Sequence, residues 1–218
     1  MVETMTRWGV RWVFGMVGHS NLNVADAVRR AADEGPPRYV AIRHEGAAAF
    51  AASAYGKLTG TPAACLAIAG PGATNLLTGL WDAHVDRSPV LALTGQVATQ
   101  VLGTGDFQEV DLRAAYGGVA AWSATVLPDS RHAELMARAC KSAVLERGVA
   151  HLVFPDEVAG RPSDEAAAGP EGRLAEAGMR APEAPLARAR SMLASARRPV
   201  IVVGHGARAD MPAVTALA

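Results

Sequence analysis

A single carboxylate, Glu45, ends the run Arg43-His44-Glu45 and stands directly ahead of Gly46-Ala47-Ala48-Ala49-Phe50-Ala51-Ala52-Ser53-Ala54. An acid in the first turn of a helix has an ordinary use, offsetting the helix dipole by about 0.3–1 kcal/mol. It has a chemical use as well. Small residues let such a helix pack closely against a neighbour, and such a face can be a subunit interface. A carboxylate pointing across it can exchange a proton with a ring nitrogen. Further on lies Gly70-Pro71-Gly72-Ala73-Thr74-Asn75, between an apolar run and a helical pattern. Backbone N–H groups in that position are placed to face an anionic or polar ligand. A polar loop, Phe107-Gln108-Glu109, completes the set.

Other chemistries fit less well. The Gly-Pro-Gly turn lacks the Gly-Lys-Ser/Thr of a Walker motif, and Asn75 stands where a dinucleotide fingerprint needs a third small residue. Gly204-x-Gly206-x-x-Ala209 does have that fingerprint's spacing, after the apolar run Val200–Val203, and hints at a nucleotide-binding unit. Ser20 lacks the second glycine of a nucleophile elbow, and a helix-cap role suits it better. The histidines at 19, 44, 84, 132, 151 and 205 form no helical i, i+4 pair and have no cysteine cluster beside them, so no metal site is expected. Asp82, Asp86 and Arg87 read as a solvated or interface charge network.

The elements that must position these groups follow a βαβα rhythm, which predicts an α/β fold: a doubly wound, mostly parallel sheet with helices on both faces. Strands are expected at 10–14, 38–42, 63–68, 90–94, 122–126 and 150–154, and helices at 21–32, 45–58, 74–85 and 130–146. The glycine-rich turns fall at the carboxyl ends of strands, the edge where open α/β sheets bind ligands. From Pro155 the chain turns rich in Pro, Ala, Gly, Glu and Asp, a linker composition. A helix at 186–195 and a strand at 199–203 then begin a new unit. The expected domains are 1–160, a linker at 161–185, and the truncated start of a second α/β domain at 186–218.

With 21 basic and 21 acidic residues, the chain carries no nucleic-acid footprint or membrane-surface patch. No run approaches the roughly 20 apolar residues of a membrane span. Two cysteines, Cys65 and Cys140, are too few for a disulfide scaffold and fit a cytoplasmic protein with reduced thiols.

Taken together, Val13-Phe14-Gly15-x-x-Gly18, Arg43-His44-Glu45, Gly70 to Asn75, Thr94-Gly95-Gln96-Val97 and Phe107-Gln108-Glu109-Val110-Asp111 carry a family likeness. The chain resembles the N-terminal pyrimidine-binding domain of the thiamine-diphosphate enzymes that include acetolactate synthase, pyruvate oxidase and related decarboxylases. The likeness covers residues 1 to about 160, with a fainter echo near 186–210. Lys57-Leu58-Thr59-Gly60, residues 79–84 and residues 143–149 lean toward pyruvate oxidase. Gly70 to Leu77 and Gly95-Gln96-Val97 suit acetolactate synthase equally well.

The resemblance implies that Glu45 is catalytic, hydrogen-bonding N1′ of the aminopyrimidine and so promoting loss of the thiazolium C2 proton. Gly70, Pro71, Gly72 and Asn75 would border the cofactor. Gly18, His19, Phe107 and Gln108 would face a 2-oxo acid such as pyruvate, which loses carbon dioxide before oxidation or addition to an acceptor. Gly46 replaces the usual Gln or Glu after the glutamate, Val17 replaces a proline, and His19 follows the loop glycine. His19 is either an extra acid/base group or a solvated loop residue.

In such enzymes a C-terminal domain with a Gly-Asp-Gly to Asn-Asn motif binds the diphosphate and Mg²⁺, and no such motif occurs here. The chain is therefore expected to be a fragment, silent alone, of a homodimer or homotetramer, pyruvate oxidase-like with FAD allowed. The alternatives are an acetolactate synthase-like carboligase, or a non-catalytic or split subunit needing a partner with the diphosphate domain.

Overall fold

Runs such as Ala63-Ala64-Cys65-Leu66-Ala67 are apolar throughout because both of their faces are covered. The computed structural model describes every residue except Glu176, Ala177 and Met179. It divides the chain into two compact units, Met1–Leu174 and Ala175–Ala218. In the first, β1 (Trp12–Gly15), β2 (Arg38–Ala41), β3 (Ala63–Ala67), β4 (Val90–Gln96), β5 (Ala120–Thr125) and β6 (Val149–Pro155) form one sheet in the order β2-β1-β3-β4-β6-β5. Every pairing is parallel. The expected α/β class and the six expected strands are present, with their ends shifted by a few residues.

Helices α1 (Val2–Arg7), α2 (Leu22–Ala32) and α7 (His132–Glu146) accompany one core; α3 (Glu45–Thr59), α4 (Pro71–Asn75), α5 (Leu77–Val85) and α6 (Leu112–Ala115) accompany the other. The pleat sorts alternate strand residues between them. Ala64, Leu66, Leu91, Leu93, Ala150 and Leu152 enter the first core; Ala63, Cys65, Ala67, Val90, Ala92 and Val153 enter the second. Both cysteines are buried free thiols.

Several features differ from the sequence expectation. Helix α1 was not foreseen: it is only six residues long, and its buried Thr4 and Met5 are held by tertiary packing rather than by a periodic pattern. The single helix expected at 74–85 is two, broken at Leu76, whose N–H donates to the Ala73 carbonyl in a tighter turn. The strand expected at 199–203 is absent. The second unit contains α9 (Glu183–Ser195), a 3₁₀ turn (His205–Asp210) and α10 (Met211–Leu217), with no strand among its described residues to pair with it. The glycine fingerprint accordingly lies in that 3₁₀ turn, without the strand-to-helix context it requires.

Beyond β6 and α8 (Asp156–Ala159), the chain has linker composition yet is held against the first unit as far as Leu174. The Glu165 carboxylate accepts from the His132 and Ala133 N–H groups at 3.1 and 2.7 Å, capping α7. The Trp8 indole N–H donates to the Ala168 carbonyl at 2.8 Å, and the Ala168 N–H donates to Thr4 Oγ1 at 3.1 Å. Of the linker expected at 161–185, residues 176, 177 and 179 lie outside the described residues. No helix among the described residues is long and apolar enough to cross a membrane.

The small face of α3 is used within the chain. A Cβ on Gly79 of α5 would lie 2.6 Å from the Phe50 nitrogen and 2.7 Å from Ala49 Cβ, so this contact requires glycine. Lys57 Nζ clamps the same pair, 2.7 Å from Asp82 and 2.6 Å from Asp86, while Ser53 Oγ donates to Asp82 at 2.7 Å. Arg87 takes no part in that clamp; its guanidinium reaches the Glu146 carbonyl at 3.5 Å.

Candidate active site

The strand order reverses direction between β1 and β3: β1 leads to β2 on one side, and β3 lies on the other. In an open parallel sheet the carboxyl edge at such a switch point is where a crevice forms. Gly18 leaves β1 there, and Ile68, Gly70 and Gly72 leave β3. A Cβ on Gly18 would lie 2.4 Å from Ile68 Cγ2, and one on Gly72 would lie 2.6 Å from Ile68 Cγ1. The two glycines thus flank one isoleucine side chain.

Glu45 arrives from β2. It is the first residue of α3, and the ring of His44 caps that helix, Nδ1 accepting from the Gly46 N–H at 3.1 Å. The Glu45 side chain is buried, at 5% exposure, and its two oxygens have different surroundings. Oε2 accepts from Asn75 Nδ2 at 3.1 Å. Oε1 lies 3.2 Å from where a Gly72 Cβ would stand, so glycine leaves the space beside that oxygen open. At Gly46, the departure noted in the sequence, a Cβ would lie 3.1 Å from His44 Nδ1 and 3.3 Å from the Asn75 carbonyl oxygen, a tight fit to which the His44 ring would have to yield.

The turn between β3 and α4 is set by Gly70, whose φ of 65° favours glycine, and by Pro71 at the first helical position. A Gly70 Cβ would lie 2.7 Å from the Gln108 carbonyl oxygen, which brings the loop after β4 onto this turn. Gln108 itself has a φ of 68°. The Glu109 carboxylate folds that loop by accepting from the N–H groups of Gly103, Gly105 and Asp106. Those bonds, Gly103's foremost, hold its carboxyl below the usual range. Gln96 closes the loop's base, donating to the Val110 carbonyl at 2.8 Å.

Beneath the site runs a buried polar chain. Tyr116 donates its hydroxyl to the Ala73 carbonyl at 2.6 Å, holding α4, and its ring stacks on His151 with centroids 3.7 Å apart. His151 meets Thr94 Oγ1 at 2.8 Å and Ser123 Oγ at 2.9 Å. Burial, with a smaller contribution from Arg113, pushes the imidazole down to about 3.

The structure therefore gathers Gly18, Glu45, Gly70, Pro71, Gly72, Asn75 and Gln108 at one sheet edge. The other two sequence candidates, on the adjoining loops, are solvent-exposed. His19 points its ring to Asp156, 3.4 Å away, and its side chain is 89% exposed. Phe107 is 83% exposed. Three contributors escaped the sequence reading. Ile68 looked like the end of a strand. Asn21 braces the β1 loop, accepting from the Gly18 N–H at 2.9 Å and donating to the Met16 carbonyl at 3.1 Å. Ser20, expected as a helix cap, instead accepts from the Ala69 N–H at 2.8 Å and ties that loop to the glycine turn.

Residues 1–115 match the family model described as thiamine pyrophosphate enzyme, N-terminal TPP binding domain. The chain is 36% identical over 207 residues to the acetolactate synthase isozyme 2 large subunit of Escherichia coli, covering 94% of this chain and 36% of that protein. It is 35% identical over 155 residues to pyruvate oxidase of Lactiplantibacillus plantarum, covering 71% and 25%. An acetolactate synthase of Arthrospira platensis is 47% identical over 112 residues, covering 51% and 19%. The chain thus spans about a fifth to two fifths of the curated relatives it matches. Matched over more than half its length, the chain belongs to the thiamine pyrophosphate enzymes and carries their N-terminal TPP-binding domain.

Proposed function

We propose that this chain supplies the aminopyrimidine-facing half of an active site that decarboxylates a 2-oxo acid such as pyruvate, in a pyruvate oxidase-like enzyme. The observation that carries the reading is Glu45: a buried carboxylate at the switch point, with one oxygen held by Asn75 and the other beside space that only glycine leaves free. Thiamine diphosphate, when bound, supplies an acidic C2–H and a sink for the electrons released on decarboxylation. The chain's own part is narrower. Glu45 holds or moves a proton at the aminopyrimidine ring. Gly70, Pro71 and Gly72 shape the wall against that ring, and Gly18 and Gln108 border the substrate side.

The diphosphate and Mg²⁺ are assigned to a domain outside these residues, for which the greater length of the relatives leaves room. The working unit is a dimer or tetramer in the cytoplasm. Exposed Phe50 and Leu58 on α3, with Trp81 and Val85 on α5, offer an apolar surface for a second copy. An acetolactate synthase-like carboligase is the second reading, favoured by the longer match to that relative. It shares the decarboxylation and differs in the acceptor, and FAD is allowed in either reading.

The test is Glu45→Gln in the protein as its native source produces it, recovered as an oligomer and supplied with pyruvate, thiamine diphosphate and Mg²⁺. Turnover should fall by about 10²–10⁴-fold, the scale of one general acid–base group, with the unfolding midpoint unchanged. Near-normal turnover would refute the assignment. Acetolactate as the product would decide for the carboligase.

A further inference from the structure

We infer that Asn75, which the family resemblance sets at the cofactor, is instead a positioning residue for Glu45, acting through the carboxylate rather than by touching the cofactor itself. The inference rests on the proposed role of Glu45 and adds how that group is aimed. The last side-chain torsion of a glutamate is broad and roughly two-fold, so a carboxylate without a fixed donor presents either oxygen to its surroundings. Here one N–H···O bond of 3.1 Å, from Asn75 Nδ2 to Oε2, breaks that equivalence. The bond is charge-assisted when the carboxylate is ionised. Oε1 is then the oxygen left beside the Gly72 opening.

The donor is itself held in place. Asn75 is the last residue of α4, a helix that starts at Pro71 and is anchored through its Ala73 carbonyl by the Tyr116 hydroxyl. Gly46 supplies the clearance, because a Cβ there would lie 3.3 Å from the Asn75 carbonyl oxygen. An amide suits this duty for a chemical reason: it donates a hydrogen bond but does not titrate, so it leaves proton exchange to Glu45. Aspartate has nearly the same shape, yet would set a second carboxylate against Oε2 and supply no donor.

Two measurements separate positioning from direct cofactor contact. Without cofactor, the Asn75 side-chain NH₂ signals of the wild type are compared by NMR with those of Glu45→Gln at one pH. They should shift when the carboxylate that accepts their hydrogen bond is replaced. Signals that coincide in the two proteins overturn the contact. In the oligomeric protein loaded with thiamine diphosphate and Mg²⁺, Asn75→Ala should slow exchange of the cofactor C2 proton about tenfold, the scale of one hydrogen bond to a charged group. Asn75→Asp should slow it further. Affinity for thiamine diphosphate should change less than about threefold, as expected of a residue that makes no contact of its own. Loss of affinity with exchange intact overturns the inference and makes Asn75 a direct ligand. Normal exchange in Glu45→Gln would instead sink the proposed function, a result distinguishable from the cofactor-free comparison of the Asn75 signals.

Discussion

Replacing His151 by Gln should remove much of this protein's sensitivity to mild acid. The imidazole is fully buried between Thr94 and Ser123, with Tyr116 stacked on it, and is held neutral down to about 3 against an ordinary value of 6.5. Between those values the unfolded chain takes up a proton that the folded chain refuses. Stability is therefore present above about 6.5 and is lost as pH falls toward about 3. Each pH unit inside that window costs about 1.4 kcal/mol, and integrating from pH 7 to pH 4.5 gives a loss of about 2.5 kcal/mol from this one group. Glutamine keeps a donor and an acceptor but does not titrate. Urea unfolding of both proteins at the two pH values isolates the difference, because the carboxylates are common to both. The His151→Gln protein is expected to start lower at pH 7, having lost the stack on Tyr116, and then to fall about 2.5 kcal/mol less than the wild type. Parallel losses in the two proteins would refute the account of His151 as a buried neutral group.

Two further predictions concern the frame and the wall of the site. Glu165→Ala removes the cap from α7 and should lower the stability of the first unit by about 1 kcal/mol in urea unfolding, the usual size for a lost N-terminal cap. An unchanged midpoint would mean that the Glu165 cap contributes nothing to the stability of α7. Gly72→Ala drives a methyl against Ile68 Cγ1 and toward Glu45 Oε1, and should cost about 1–3 kcal/mol while weakening thiamine diphosphate binding. Titration of the cofactor against intrinsic tryptophan fluorescence reads the second effect, and undiminished affinity would remove Gly72 from the cofactor wall.

The sequence by itself determined the sheet and the edge at which chemistry gathers. Strands buried on both faces read as near-continuous apolar runs, which is why Ala63–Ala67 and residues 90–93 at the start of β4 are legible without coordinates. Glycines at strand ends mark the turns between elements, so Gly70 and Gly72 were found by type and spacing, as was Glu45 at the head of an alanine-rich helix. Tertiary structure decided which of these groups meet. Asn75 donates to a carboxylate 30 positions away, and Ser20 reaches Ala69 across 49; no local pattern encodes either contact, since the first follows from how closely α3 and α4 approach and the second from β1 lying beside β3. The same packing turns His19 toward Asp156 and leaves Phe107 in solvent, although both stand in the right motifs. It also explains the misjudged pieces. Helix α1 exists because a core covers Met5, and Val200–Val203 has the composition of a strand but no neighbour among the described residues of its unit to complete the hydrogen-bond ladder.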